Sequence, residues 1–181
     1  MNVRTEVKPG VEVDVVRLVT FRLGKDLFAA DIASVDRVLR YTVPSHVPDV
    51  PLWIEGVLEH RGKVIPVVDM RHRIDLPLAD TSITAHTRIL VLTTAAGWIG
   101  AIVDAVVEVA VISASAMSAP PPLFRGLASH FLRGVATVRE QLVVVLEMEQ
   151  VLTSADRLTF EGVLDVAARR VVKNGAVGGR G

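Results

Sequence analysis

The sequence predicts a mainly β fold made of two small five-stranded barrels, and three observations lead there. Half of the 181 residues are hydrophobic but only 4% are aromatic, so the core has to be assembled from Val, Leu, Ile and Ala. Val recurs in runs, and β-branched side chains suit a pleated, half-buried surface better than a helix. Short apolar runs are paired around turn-forming residues, and the whole arrangement occurs twice.

The duplication is read directly from the residues. WIEGVLEHRGKVIPVVDMRHRI (53–74) and FLRGVATVREQLVVVLEMEQVL (131–152) align without a gap at an offset of 78 residues, the distance from Gly56 to Gly134. Val57/Val135, Arg61/Arg139, Val67/Val145 and Met70/Met148 coincide as well. Upstream, LFAADIASVDRV (27–38) matches WIGAIVDAVVEV (98–109) at an offset of 71, with Ala30/Ala101, Val35/Val106 and Val38/Val109 in common. The order is kept, and chance similarity among Val-rich runs does not place the glycine and the arginine together.

Each copy reads as hairpins. Arg17–Leu23 and Leu27–Ala30 flank the turn-forming Gly24-Lys25-Asp26, and Arg88–Thr94 with Trp98–Ile102 repeats this around Ala95-Ala96-Gly97. Glu55–His60 and Lys63–Val68 form a second hairpin about Arg61-Gly62, matched by Arg133–Val138 and Leu142–Leu146. Pro66 lies inside an apolar strand and cannot donate to a ladder, which predicts an edge strand or a bulge there. Proline-bearing connections follow, with Pro44, Pro48 and Pro51 in the first copy and Pro120-Pro121-Pro122 in the second. Five short strands per copy hide their edges best by closing into a barrel.

Asp69–Asp75 and Glu147–Leu152 read as short helices. Residues 153–173 form a C-terminal extension in which Glu161–Lys173 spaces Val163, Leu164, Ala167, Val171 and Val172 helically, with Arg169, Arg170 and Lys173 near the end where cations complement the helix dipole. Residues 1–16 and the glycine-rich 174–181 are expected to be flexible. The folded region is therefore expected over 17–152, as barrels at about 17–76 and 87–152.

Composition narrows the function. Lys plus Arg number 20 and Asp plus Glu number 20, so no basic excess points to nucleic acid. Cysteine is absent, which removes disulfides and thiolate metal sites from consideration. The longest apolar run, Trp98–Ile112, is broken by Asp104 and Glu108 and falls short of the roughly 20 residues a membrane span needs. The sequence carries no GxGxxG, no P-loop and no serine–histidine–acid elbow. Asp69 and His72 stand three apart with His60 nearby, but spacing supplies no third metal ligand. No cofactor, metal or catalytic residue is expected.

Gly56–Ile74, GVLEHRGKVIPVVDMRHRI, resembles the signature of the CheW family: a glycine opening a strand, an Arg-Gly turn, and a V-x-P-V-x-D-L-R stretch. Phe21–Leu39 is similar to that family's opening segment and Trp98–Val109 to its second-barrel counterpart. The resemblance runs from about Arg17 to Leu152. It implies two intertwined SH3-like barrels, strands crossing between them, and a hydrophobic groove. It also implies a non-enzymatic cytoplasmic adaptor that joins the regulatory domain of a CheA-type histidine kinase to the cytoplasmic tip of chemoreceptors, in arrays at the inner membrane. A specialised adaptor of a non-flagellar array is a second reading; a small barrel enzyme is a remote one.

The resemblance directs attention to six residues. Arg61 occupies a hairpin tip from which a guanidinium reaches a partner, or is an exposed turn residue with no role. Val35, Gly100 and Val106 match positions that line or support the receptor groove, or belong to the core. Three positions depart from the family pattern: His60 stands where leucine is usual, Arg37 where an acid is common, and Glu55 where a base is frequent. Arg37 and Glu55 either face each other as an exchanged surface pair or meet a kinase with compensating charges. Gly56 and Gly62 are read as structural.

Overall fold

The computed structural model describes residues 14–76, 82–120, 130–151 and 154–175. Ten strands form in chain order: β1 (Val15–Leu23), β2 (Asp26–Asp31), β3 (Val35–Arg40), β4 (Ile54–His60), β5 (Lys63–Asp69), β6 (Arg88–Thr94), β7 (Gly97–Val103), β8 (Ala105–Ser113), β9 (Leu132–Val138) and β10 (Gln141–Leu146). Short helices α1 (Met70–Arg73) and α2 (Met148–Val151) follow β5 and β10, and α3 (Ser154–Gly175) closes the chain. All four hairpins expected from the sequence are present. β1 begins at Val15, and α3 extends through Asn174 and Gly175, so strand and helix reach into both termini expected to be flexible. Pro121 and Pro122 and residues 176–181 lie outside the described residues.

The two barrels are not the two halves of the chain. One sheet has the order β8-β1-β2-β10-β9 and the other β3-β6-β7-β5-β4. Advancing each strand by five positions carries the second order onto the first, with the count returning to β1 after β10. Each copy thus lends its first hairpin to the sheet built by the other copy's last three strands. The repeat offsets reappear in the pairing: Val67 lies against Gly100 in one parallel ladder and Val145 against Ala29 in the other.

Period-two alternation sorts the side chains into three cores. Leu18, Leu27, Ala29, Val143 and Val145 fill one barrel. Val67, Ile89 and Ile102, with Leu39 and Leu58, fill the other. The opposite faces of both sheets meet in a larger shared core, where Phe21, Phe28 and Leu146 join Leu90, Leu92, Val68 and Val103. α3 seals one end of it with Phe160, Val163 and Ala167.

Two glycines and one proline find their reasons here. After β3 and after β8 the chain doubles back so that Ser45 pairs with Val57 and Ser118 with Val135. A Cβ on Gly134 would stand 2.7 Å from the Ser118 carbonyl oxygen, and one on Gly56 would collide with the Ser45 carbonyl, so the repeat keeps glycine at both points. Pro66 is neither on an edge strand nor itself bulged. β5 lies between β7 and β4, and the bulge is in β4, where Glu55 is skipped between Ile54 and Gly56. Val57 spends both of its backbone groups on Ser45, so it makes no bond with Pro66 across the strand pair. The side of Pro66 that lacks a donor faces β7, whose ladder starts one residue later at Val67. The equivalent Val144 does pair with Phe28.

Bulges also repeat. Asp36 is skipped in the β3–β6 pairing and Val107 in the β8–β1 pairing, and Thr20 Oγ1 stitches the latter by donating to the Glu108 carbonyl at 3.1 Å. Both β4–β5 and β9–β10 turn through two residues of positive φ: Arg61 and Gly62 at 50° and 73°, Arg139 and Glu140 at 46° and 67°. This is the geometry whose twist matches that of the flanking strands.

Two outcomes follow. A fragment of residues 1–76 contains β1–β5 but lacks β6 and β7, which stand between β3 and β5, so it will show no cooperative thermal transition by circular dichroism. Glu140→Gly removes a left-handed non-glycine residue whose strain is about 1 kcal/mol. It will raise the melting temperature by about 2–4 °C in calorimetry.

Candidate functional site

The end of the second barrel gathers the most chemistry. The Asp36 bulge turns its carboxylate out of the β3 ladder and toward the β4–β5 turn. There Asp36 Oδ1 accepts from Arg61 at 3.2 Å, and Asp36 Oδ2 lies 3.3 Å from His60 Nε2. These contacts bring together β3 and β4, the two ends of the sheet, and close the barrel. His60 is 5% exposed and meets Trp98 of β7 edge-on, with ring centroids 5.1 Å apart. The Arg61 guanidinium and the Lys63 ammonium lie over the same indole at 5.6 and 5.3 Å. In the other barrel Arg139 pairs with Glu108 at 2.7 Å, so the turn arginine of each copy latches onto its own copy's third strand.

A second cluster locks the two sheets. Asp69 caps α1 by accepting from the Arg71 N–H at 2.8 Å, and its carboxylate takes Arg71 Nε and Nη2 in a forked pair at 2.9 and 2.6 Å. Arg71 Nη1 continues to Asp104 at 3.0 Å, and Asp104 accepts from Gly24 N–H at 2.6 Å, in the turn of the hairpin lent to the other sheet. The Asp69 and Arg71 side chains are 2% and 3% exposed. The hydrogen bond from Asp69 raises the Arg71 proton affinity against the opposing effect of burial. At the equivalent place in the second copy, Glu149 accepts from Ala95 N–H, so each copy's short helix holds the other hairpin's turn.

Arg73 binds the C-terminal helix. Its guanidinium lies over Trp53 at 4.6 Å and Phe131 at 4.9 Å, aromatic residues that occupy the same place in the two copies. Nε donates to the Val151 carbonyl and Nη2 pairs with Asp156 at 2.6 Å. Burial lowers its proton affinity and Asp156 opposes the change.

Glu55 supplies the third group that spacing did not reveal beside Asp69 and His72, with ligand-type atoms of the three within 4.8 Å of one another. Both Asp69 oxygens are already engaged by Arg71, whose guanidinium supplies the positive charge at that point. Burial raises the Tyr41 phenol, and the Glu55 carboxylate adds to the effect.

Residues 17–156 match the family described as the CheW-like domain. The chain belongs to that family, the scaffolds of chemotaxis signalling. It is 27% identical over 139 residues to the probable chemotaxis protein CheW of Rhizobium etli, covering 77% of this chain and 88% of that one. It is 30% identical over 137 residues to protein FrzA of Myxococcus xanthus, covering 75% and 84%. The crystal structure of the scaffolding protein TtCheW from Thermoanaerobacter tengcongensis superposes with a TM-score of 0.71 at 27% identity, over 78% of this chain and 94% of that one. α3 therefore lies almost wholly beyond the residues shared with the family. Among the described residues, no helix is long and apolar enough to cross a membrane.

The six residues singled out by the resemblance do not form one patch. Arg61 is on the surface, its side chain 46% exposed. Val35 and Val106 occupy equivalent places in the two copies and pack, partly buried, against the shared core. Gly100 is buried inside the second barrel, where a Cβ would come within 2.9 Å of Ile89, so its part is to admit that packing. Arg37 is exposed on β3 opposite Val91, while Glu55 stands beside Asp69 and His72. Among the described residues no ion pair joins Arg37 to Glu55. Sequence reasoning missed Asp36, Lys63 and Trp98 at the barrel end, and Arg71 with Asp104 in the lock.

Replacing Arg71 by Leu leaves the Asp69 carboxylate buried and unpaired. It will cost about 3–5 kcal/mol in urea denaturation, and Asp69→Leu on the same background will recover part of that.

Proposed function

We propose that this chain is a scaffold without a reaction of its own, which joins the regulatory domain of a CheA-type histidine kinase to the cytoplasmic tip of chemoreceptors. The family match over 17–156 supports the class of function. The observation that carries the site is Arg61, which projects from a rigid two-residue turn while Asp36 holds its guanidinium in place. A guanidinium ordered before binding loses less freedom when a partner's carboxylate or carbonyl takes its remaining donors. Val35 and Arg37 flank Asp36 on the same strand, so a partner seated on Arg61 reads them too. The locked sheets supply the stiffness a coupling element needs: a bias imposed at one partner reaches the other through a body that does not yield.

A specialised pathway is the second reading, and the charges favour it. Arg37 and Glu55 do not neutralise one another, which leaves each free to meet a partner of opposite charge. Such complementarity selects the cognate kinase and repels another by like-charge contact.

Arg61→Glu will abolish receptor-dependent kinase activation in a reconstituted assay while costing at most about 1 kcal/mol of stability, since the pair it breaks is exposed. Normal activation by this variant removes Arg61 from the site. Arg37→Glu/Glu55→Lys will bind the cognate kinase more weakly in titration calorimetry and gain affinity for a kinase matched to the common pattern; unchanged affinities eliminate charge selection.

A further inference from the structure

Beside the Arg61 turn the surface opens into a recess of about 330 Å³, lined by Lys63 and Ile65 of β5, Thr93 of β6, Gly97 and Trp98 of β7, and Leu164 of α3. A water's share of liquid volume is about 30 Å³, so the space is sized for side chains. Its floor and walls are largely apolar, and its rim is cationic. Arg61 shares Asp36 with His60, whereas Lys63 has no anionic partner among the described residues and rests over the Trp98 ring. Trp98 is held by His60 at its edge, so its half-exposed face is presented without freedom to swing away. One wall comes from α3, beyond the 17–156 shared with the family.

We infer that this recess is a docking site for an acidic segment of a protein partner. An apolar side chain of that segment enters against Trp98, Ile65 and Leu164, and a neighbouring carboxylate pairs with Lys63. Charge complementarity decides the occupant: an apolar pocket with an unmatched ammonium at its mouth rejects a basic segment and leaves a neutral one without its polar contact. A partly buried indole flanked by cations supplies the anchor of a binding hot spot. The inference rests on reading the chain as an adaptor and assigns α3 a part in choosing its partner.

The test titrates the isotope-labelled full chain with a short synthetic peptide carrying a leucine flanked by glutamates, and with glutamine-flanked and lysine-flanked versions. The glutamate peptide is expected to shift the resonances of Lys63, Gly97, the Trp98 indole and Leu164, and to bind less tightly as salt is raised. Lys63→Glu weakens it roughly tenfold, Leu164→Ala weakens it without changing the salt dependence, and Lys25→Glu at the β1–β2 turn leaves it unchanged. Melting curves check that each variant is folded. Equal binding of the three peptides, shifts that map elsewhere, or no binding overturns the inference. The kinase assay with Arg61→Glu is read separately, so an adaptor that ignores the peptide but loses coupling retains its function and loses this site.

Discussion

In each sheet a short parallel ladder, Val67–Asp69 against Gly100–Ile102 and Val144–Val145 against Phe28–Ala29, joins strands from different copies of the repeat, and the rest of the architecture depends on that crossing. Once a hairpin is lent across, its outer strand pairs with the other copy's third strand, β1 with β8 and β6 with β3. The faces not used inside the barrels are then brought against each other as the shared core. The Asp69–Arg71–Asp104–Gly24 chain stands where this exchange takes place. A buried ion pair is weak evidence of stability in itself, because desolvation offsets much of the attraction. Its geometry is nonetheless demanding, and it fixes which turn lies beside which helix.

Much of this was legible in the residues. The two offsets, 78 and 71, mark the copies, and turn residues between apolar runs place all four hairpins. What the residues did not disclose is which hairpin joins which sheet. Apolar runs such as Leu27–Ala30 and Trp98–Ile102 are equally good neighbours for either copy's strands, and the difference is settled by long-range packing. The intertwining was implied by the family resemblance, not by periodicity. Pro66 illustrates the limit from the other side: its missing donor was read correctly, but the reading assumed that an interior strand is paired along its whole length, and here the β7 ladder begins one residue later.

The site was legible only in part, for a related reason. Arg61 was visible because a turn announces itself locally. Asp36 lies 25 residues from Arg61 and is aimed at it by a bulge, a feature that leaves no mark in composition. Asp104 stood out merely as an interruption in an apolar run, and its partner Arg71 is 33 residues away. Gly100 was correctly noticed as a position that tolerates no side chain, but the crowding comes from Ile89 and Val67 inside the barrel.

The exchange also sets the order of events at the ribosome. When β5 emerges, none of the five-stranded sheets can be completed: β1 and β2 await β8 and β10, and β3 and β5 await the hairpin that separates them. The second sheet becomes complete only with Val103 and the first only with Leu146, so the nascent chain carries open apolar faces through most of its synthesis. Contacts between residues so far apart in sequence form slowly, and unpaired edges are the surfaces on which unfinished chains associate. The Arg-bearing turns, with their charges at each barrel end, are closed early and locally, and they keep the waiting hairpins soluble until the partners that will complete them arrive.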